Sequence, residues 1–222
     1  MADLKTFGSL LHHLDVDQNR SMARSREEHV TQLRAALKQA KSVINLNHDY
    51  RTNLQRFNNG HSGGRWTLLH FSISTAKRPN SDKQQRAKDN VNILCELNAD
   101  PFQKVADIPS FGSALHYACD LGLLEVVNIL LVHMKKTAPE VDRLAMLNYQ
   151  YKIETEGEYC HTPLTIALLN GIHEQASGGV ALIELLLEHG ANLNTLCPSK
   201  FTPLLWLIDS LQKSNTNKEV NV

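Results

Sequence analysis

Aromatic residues are scarce in this chain, at 6% of 222 positions, which suits helices that pack closely through small side chains. Net charge is missing as well. Lys and Arg number 23 and so do Asp and Glu, whereas a nucleic-acid binder ordinarily shows a basic excess or stripe. No apolar run approaches the roughly 18 residues of a membrane span. The N-terminus lacks the basic-then-apolar layout of a secretory signal, because His12, His13, Asp15 and Asp17 cut its apolar stretch short. The four cysteines, Cys95, Cys119, Cys160 and Cys197, are scattered singly. That pattern predicts reduced thiols and a cytoplasmic location. The glycines of 173–179 have no strand before them and no Gly-Lys-Ser/Thr after them, so they do not read as a phosphate cradle.

What the chain does have is self-similarity. Trp66-Thr67-Leu68-Leu69-His70, Gly112-Ser113-Ala114-Leu115-His116, His161-Thr162-Pro163-Leu164-Thr165 and Phe201-Thr202-Pro203-Leu204-Leu205 each set a hydroxyl ahead of a small apolar helix. Second apolar runs follow the first three, at Val91–Leu97, Val126–Val132 and Val180–Leu187. The hydroxyl can accept hydrogen bonds from the unpaired N–H groups of a helix start. Pro163 and Pro203 stand where a missing N–H costs nothing, and Gly190 stands where a helix stops. Each unit is therefore two short antiparallel helices and a loop. A unit this small must stack on its neighbours to bury its apolar face, and 42% hydrophobic content is enough for a continuous core.

These residues resemble the ankyrin repeat. The third unit carries the likeness best, with Thr162-Pro163-Leu164, Ala167, Gly171, Leu185-Leu186-Leu187 and Gly190-Ala191-Asn192-Leu193-Asn194. The second adds Ala114-Leu115-His116-Tyr117-Ala118, Gly122 and Leu130-Leu131, and the first Leu69-His70 and Asn98-Ala99-Asp100-Pro101. The likeness covers roughly 60–222. Anchor spacings of 46 (67 to 113), 49 (113 to 162) and 40 (162 to 202) exceed the ankyrin period of about 33, so every unit carries an insertion. The resemblance implies an all-α solenoid with β-hairpin fingers and a concave binding face. It also implies that His70 and His116 bond backbone and tie neighbouring fingers. Thr165 and Leu205 at the equivalent positions put that bond in doubt in units three and four.

The division expected is an N-terminal helical cap over 1–60 and about four repeats over 61–222, the last truncated. In the cap, Leu4, Phe7, Leu10, Leu11 and Leu14 mark a helix over 3–14. Ser25 and Glu28 form a capping box for a second helix to about 46, faced by Val30, Leu33, Leu37, Ala40 and Ile44. The same spacing suits a coiled-coil dimer, but over barely two heptads, and the cap is the preferred reading. Unit four holds Trp206 on a helix apolar nearly all round, expected in the interior. Its second helix only begins at Lys218-Glu219-Val220, so the chain is expected to be part of a longer protein. Between units two and three, Thr137 and Pro139 predict an added helix over 138–147. Alternation from Tyr149 to Ile153 and return through Glu158-Tyr159-Cys160 predict a long finger, its apolar face packed on Leu144 and Leu147.

Chemistry has thin support in this pattern. Cys160 and His161 are adjacent, which in a strand sends them to opposite faces. Cys119 and His116 share a helix expected to be buried between repeats, where a thiolate nucleophile is disfavoured. No catalytic residue, cofactor or metal site is therefore expected. The resemblance implies a protein-interaction module, monomeric, with no nucleic-acid or membrane partner. Its family positions place Trp66, His161 and Phe201 ahead of the anchors, and Ser74, Thr75, Asp120, Leu121, Leu169, Asn170 and Asp209 on the concave side. Phe111, Tyr159 and Phe201 would form an aromatic row on successive fingers. Tyr151, Glu154, Glu156 and Glu158 belong to the long finger, whose acidic edge suits a basic partner. In its irregular spacing the chain is similar to the ankyrin domains of effectors that intracellular bacteria deliver into host cells, which would place it in the host cytoplasm. The alternative is a recruitment domain of a larger enzyme.

Overall fold

A computed structural model describes residues 10, 14, 25–40, 45–48, 50–51, 65–76, 81–103, 112–152, 160–173, 178–195, 202–205 and 208. Helices account for most of it: α1 (Arg26–Ala40), α2 (Leu68–Ala76), α3 (Ser81–Glu96), α4 (Ala114–Asp120), α5 (Leu124–Thr137), α6 (Glu140–Leu147), α7 (Pro163–His173) and α8 (Gly178–Glu188). Among the described residues, four two-residue strands make two antiparallel pairs. β1 (Tyr50–Arg51) lies on β2 (Arg65–Trp66), and β3 (Tyr151–Lys152) lies on β4 (Cys160–His161).

The hydroxyl anchors work as sequence chemistry demands. Thr67 accepts from the His70 N–H (3.4 Å), Ser113 from His116 (3.5 Å), Thr162 from Thr165 (3.2 Å) and Thr202 from Leu205 (3.3 Å). Ser25 does the same for Glu28 at 3.2 Å, each bond satisfying one orphan donor of a first turn. Helix ends are equally regular. Asn98, Gly122 and Gly190 take positive φ of 65°, 65° and 98°. In each case the next residue's N–H reaches five residues back: Ala99 to the Leu94 carbonyl, Leu123 to Ala118 and Ala191 to Leu186. This is the left-handed stop that lets a helix end with its carbonyls bonded. At 190 a side chain would be strained by that φ and would also meet the Leu144 methyl of α6.

The helices stack in two layers. α2, α4 and α7 pack successively in one, and α1, α3, α5 and α8 pack successively in the other; α2 pairs with α3, α4 with α5 and α7 with α8. The core runs through both layers, from Leu33 and Leu37 through Val91 and Leu94 to Leu130, Leu131, Leu182 and Leu186, all buried or half-buried at the flanks. α1 thus occupies a place in the row of second helices. It is held on α3 by Arg26 bonding both oxygens of Asp89 (2.7 Å each), by Arg34 to Glu96, and by a buried bond from His29 Nε2 to Asn90 Oδ1 at 2.8 Å. Asn90 in turn donates to the Leu14 carbonyl at 3.2 Å. Leu10 and Leu14 are helical and buried; the rest of the expected 3–14 helix, and Ile44, lie outside the described residues.

Three expectations need correcting. Thr137 does not cap the added helix: it closes α5, donating to the His133 carbonyl at 2.9 Å, and α6 starts at Glu140 with Pro139 ahead of it. The strand begins at Tyr151, not Tyr149, because the Tyr149 N–H turns back to the Met146 carbonyl. Tyr149 is exposed, whereas Leu147 is buried. Leu204, Leu205 and Ile208 are exposed too, against the expectation of an interior helix. Trp206 lies outside the described residues.

Candidate interaction surface

Units two and three are tied through a buried histidine. His116 Nδ1 lies 2.7 Å from Ser113 Oγ, and its Nε2 is 3.3 Å from the Tyr149 carbonyl, ahead of β3. A carbonyl only accepts, so Nε2 carries the proton and Nδ1 accepts from the serine hydroxyl. His70 makes the same Nδ1 contact to Thr67 at 2.8 Å. It faces the Gly112 backbone without completing a hydrogen bond on Nε2. Burial disfavours the imidazolium in both. Loss of water and the neighbouring His116 hold His70 down at about 3, and loss of water holds His116 at about 4. In unit three the pair becomes Thr162 and Thr165, whose hydroxyls bond each other at 2.8 Å.

A second set of ties runs along the other edge. Asn45, Asp100 and Asn192 each accept from the backbone N–H two residues on, at 3.0, 2.8 and 2.9 Å. The side chain of Asn47 then accepts from the Asp100 N–H at 2.7 Å, and that of Asn148 from the Asn192 N–H at the same 2.7 Å. Both asparagines stand three residues before a strand that pairs in matching register, Tyr50 with Trp66 and Tyr151 with His161. The segment ending in β1 is therefore built like a repeat, and the sequence carried the signal: Asn45-Leu46-Asn47 and Asn192-Leu193-Asn194 are the same tripeptide.

Several expected contact residues belong to this frame. Trp66 is buried, edge-on to Tyr117 (5.6 Å) and to His70 (6.3 Å), with His70 stacked on Tyr117 at 6.2 Å. His161 is buried, and so is Thr75, which donates to the Ser72 carbonyl at 2.7 Å. All three are thereby withdrawn from the surface: Trp66 and His161 by strands paired beside helix starts, Thr75 by its bond within α2. Asp120 is exposed, while Ser74, Leu121 and Leu169 are half-buried. For Tyr151 and Asn170 the backbone alone is described. Phe111, Glu154, Glu156, Glu158, Tyr159, Phe201 and Asp209 lie outside the described residues.

The two cysteine side chains that the structure describes are buried. Cys95 and Cys119 are both free thiols in the interior, and burial pushes Cys95 up to about 12 and Cys119 upward as well. Neither meets the requirement of an exposed thiolate. Among the described residues no group of three or more His, Cys, Asp or Glu is placed to hold a metal ion, and no helix is long and apolar enough to cross a membrane. A cleft of about 240 Å³ between Ala76, Gln84, Lys88, Gly122 and Leu124 is bordered by an ion pair from Lys88 of α3 to Glu125 of α5. No protein-family model matches the chain, and no curated protein matches it.

Proposed function

We propose that the chain is a protein-interaction module of ankyrin-type repeats that binds a partner protein across one face of the α2–α4–α7 layer and the antiparallel pairs beside it. The observation that carries this reading is a division of labour. The buried histidines and thiols serve the frame, which recurs from unit to unit, whereas residues such as Asp120 and Leu169 differ between units and lie exposed or half-exposed. A fixed frame with a varied surface recognises partners by surface chemistry and has no need of a catalytic group. The resemblance to bacterial effectors makes a eukaryotic lysate the source in which to seek the partner. The test compares capture by the intact chain and by an Asp120→Arg, Leu169→Glu variant of unchanged melting temperature. The variant is expected to lose a protein that the parent holds; capture of the same proteins in the same amounts overturns the reading.

A further inference from the structure

The junctions between neighbouring second helices differ in charge. α1 meets α3 through Arg26 with Asp89 and Arg34 with Glu96, and α3 meets α5 through Lys88 with Glu125. At the α5–α8 junction cations gather instead. Lys135 stands in the last turn of α5, Arg143 on α6, and His189 at the end of α8, its N–H bonded to the Leu185 carbonyl. The packing of α6 carries them to one edge. Leu144 lies where it would meet any Cβ at Gly190, and Asn148 donates to the Gly190 carbonyl at 3.2 Å and accepts from the Asn192 N–H at 2.7 Å. Arg143 and His189 are the residues just before Leu144 and Gly190. Lys135 is exposed and the other two are half-buried.

The three side chains sense one another. After loss of water, Lys135 and then Arg143 hold the His189 imidazole below its ordinary range, and Glu188 opposes them more weakly. Helix dipoles account for part of this arrangement, because cations are favoured at helix C-termini, where Lys135 and His189 stand. Arg143 gains nothing from that effect, since it lies in the first half of α6. Its Nε is buried with no hydrogen-bond partner among the described residues. A buried donor left without an acceptor is costly, and a bound anion would supply one.

We propose that Lys135, Arg143 and His189 form a binding site for a phosphate-type oxyanion at the edge where α5, α6 and α8 meet. A phosphate monoester presents three terminal oxygens and about 1.5 to 2 negative charges near neutral pH. A carboxylate presents only two oxygens and a single charge. The Arg143 guanidinium is a fork suited to two such oxygens, and Lys135 and His189 approach from two other helices to reach the third. The site belongs to the row of second helices and is separate from the α2–α4–α7 face.

The test titrates the full chain with inorganic phosphate, and separately with N-acetyl-phosphoserine methylamide. Ionic strength is fixed with sodium chloride, because exposed charges are screened by salt, and the His189 ring is followed by NMR. Saturable binding is expected, with the His189 titration midpoint moved upward, since a neighbouring anion favours the imidazolium. Lys135→Gln, at an exposed side chain that the fold does not need, should weaken binding roughly three-fold, and Lys135→Gln with Arg143→Gln roughly ten-fold or more. Lys136→Gln removes the same charge one residue on, where the side chain faces His133 instead, and should leave binding unchanged. Whichever probe binds more tightly identifies the source of the phosphate group, a free ion or a phosphorylated polypeptide, and upholds the site. Failure to saturate, an unmoved His189, or equal weakening by Lys135→Gln and Lys136→Gln overturns the proposal. So does sodium acetate binding as tightly as phosphate, which would assign the cluster to carboxylates.

Discussion

At the N-terminal end of the stack, α1 turns Leu33 and Leu37 inward and shows Arg26, Glu27, Glu28 and Lys38 to water. At the C-terminal end, Leu204, Leu205, Ile208 and Val180 face water themselves. The local chemistry of the two ends is nonetheless the same: Ser25 and Thr202 cap their helices with bonds of 3.2 and 3.3 Å to the N–H three residues on. The contrast shows that burial here is set by a unit's place in the stack, whereas caps and helix stops are set by local sequence. Leu204 is exposed, whereas Leu69, Leu115 and Leu164, at the same distance from their anchors, are buried.

Acid is expected to have the largest effect on the stack. His70 and His116 are held neutral at about 3 and 4, below the ordinary 6.5. The unfolded chain takes up protons below about 6.5 that the folded chain refuses, so stability is full above that pH and is lost as pH falls toward the folded values. At pH 5 the two together are expected to cost on the order of 4 kcal/mol. A His70→Gln, His116→Gln variant should lose correspondingly less between pH 7.5 and pH 5 in urea unfolding. Unit three has Thr165 at this position, so hydrogen exchange corrected to a common intrinsic rate should show α2 and α4 loosening in acid more than α7 does.

The comparison sharpens with one substitution made twice. Leu33→Ala, at a fully buried position, is expected to cost about 3 kcal/mol through lost burial and an unfilled cavity. Leu204→Ala should stay within about 0.5 kcal/mol. Equal shifts in urea midpoint would mean that the C-terminal leucines are covered in solution. The asparagine ties come next. Asn148→Ala removes the acceptor for the Asn192 N–H and donors to the Leu144 and Gly190 carbonyls, for a loss of about 2 kcal/mol. Asn47→Ala removes the bond to Asp100 and should cost about 1 kcal/mol, both measurable by denaturant titration. The smallest effect belongs to Arg26→Ala, since the guanidinium of the Arg26–Asp89 pair is exposed. Its destabilisation should be visible at low ionic strength and fade when salt is raised.

Much of the frame was legible in the sequence because local chemistry dictated it. The caps at Thr67, Ser113 and Thr162 and the stop at Gly190 all follow from residues within one turn of each other. The surface was less legible because side-chain direction depends on neighbours. Trp66 and His161, just ahead of their anchors, read as partner contacts until their pairing with Tyr50 and Tyr151 turns them inward. Thr75 reads as a contact until it bonds its own helix. The ties at Asn47 and Asn148 act across 53 and 44 residues, beyond the reach of periodicity, although the repeated Asn-Leu-Asn was there to be noticed.

Those ties have a bearing on how such a chain can change over generations. Asn47 and Asn148 recognise a backbone N–H and not a side chain, so the residue they hold is Asp in one case and Asn in the other without loss of the 2.7 Å bond. Any substitution at 100 or 192 except proline keeps the donor. A coupling that ignores its partner's side chain lets insertions accumulate between units, as between Thr137 and Asn148, while the junction itself stays intact. The stack can lengthen its loops and diversify its exposed residues with no coordinated second mutation at the joint.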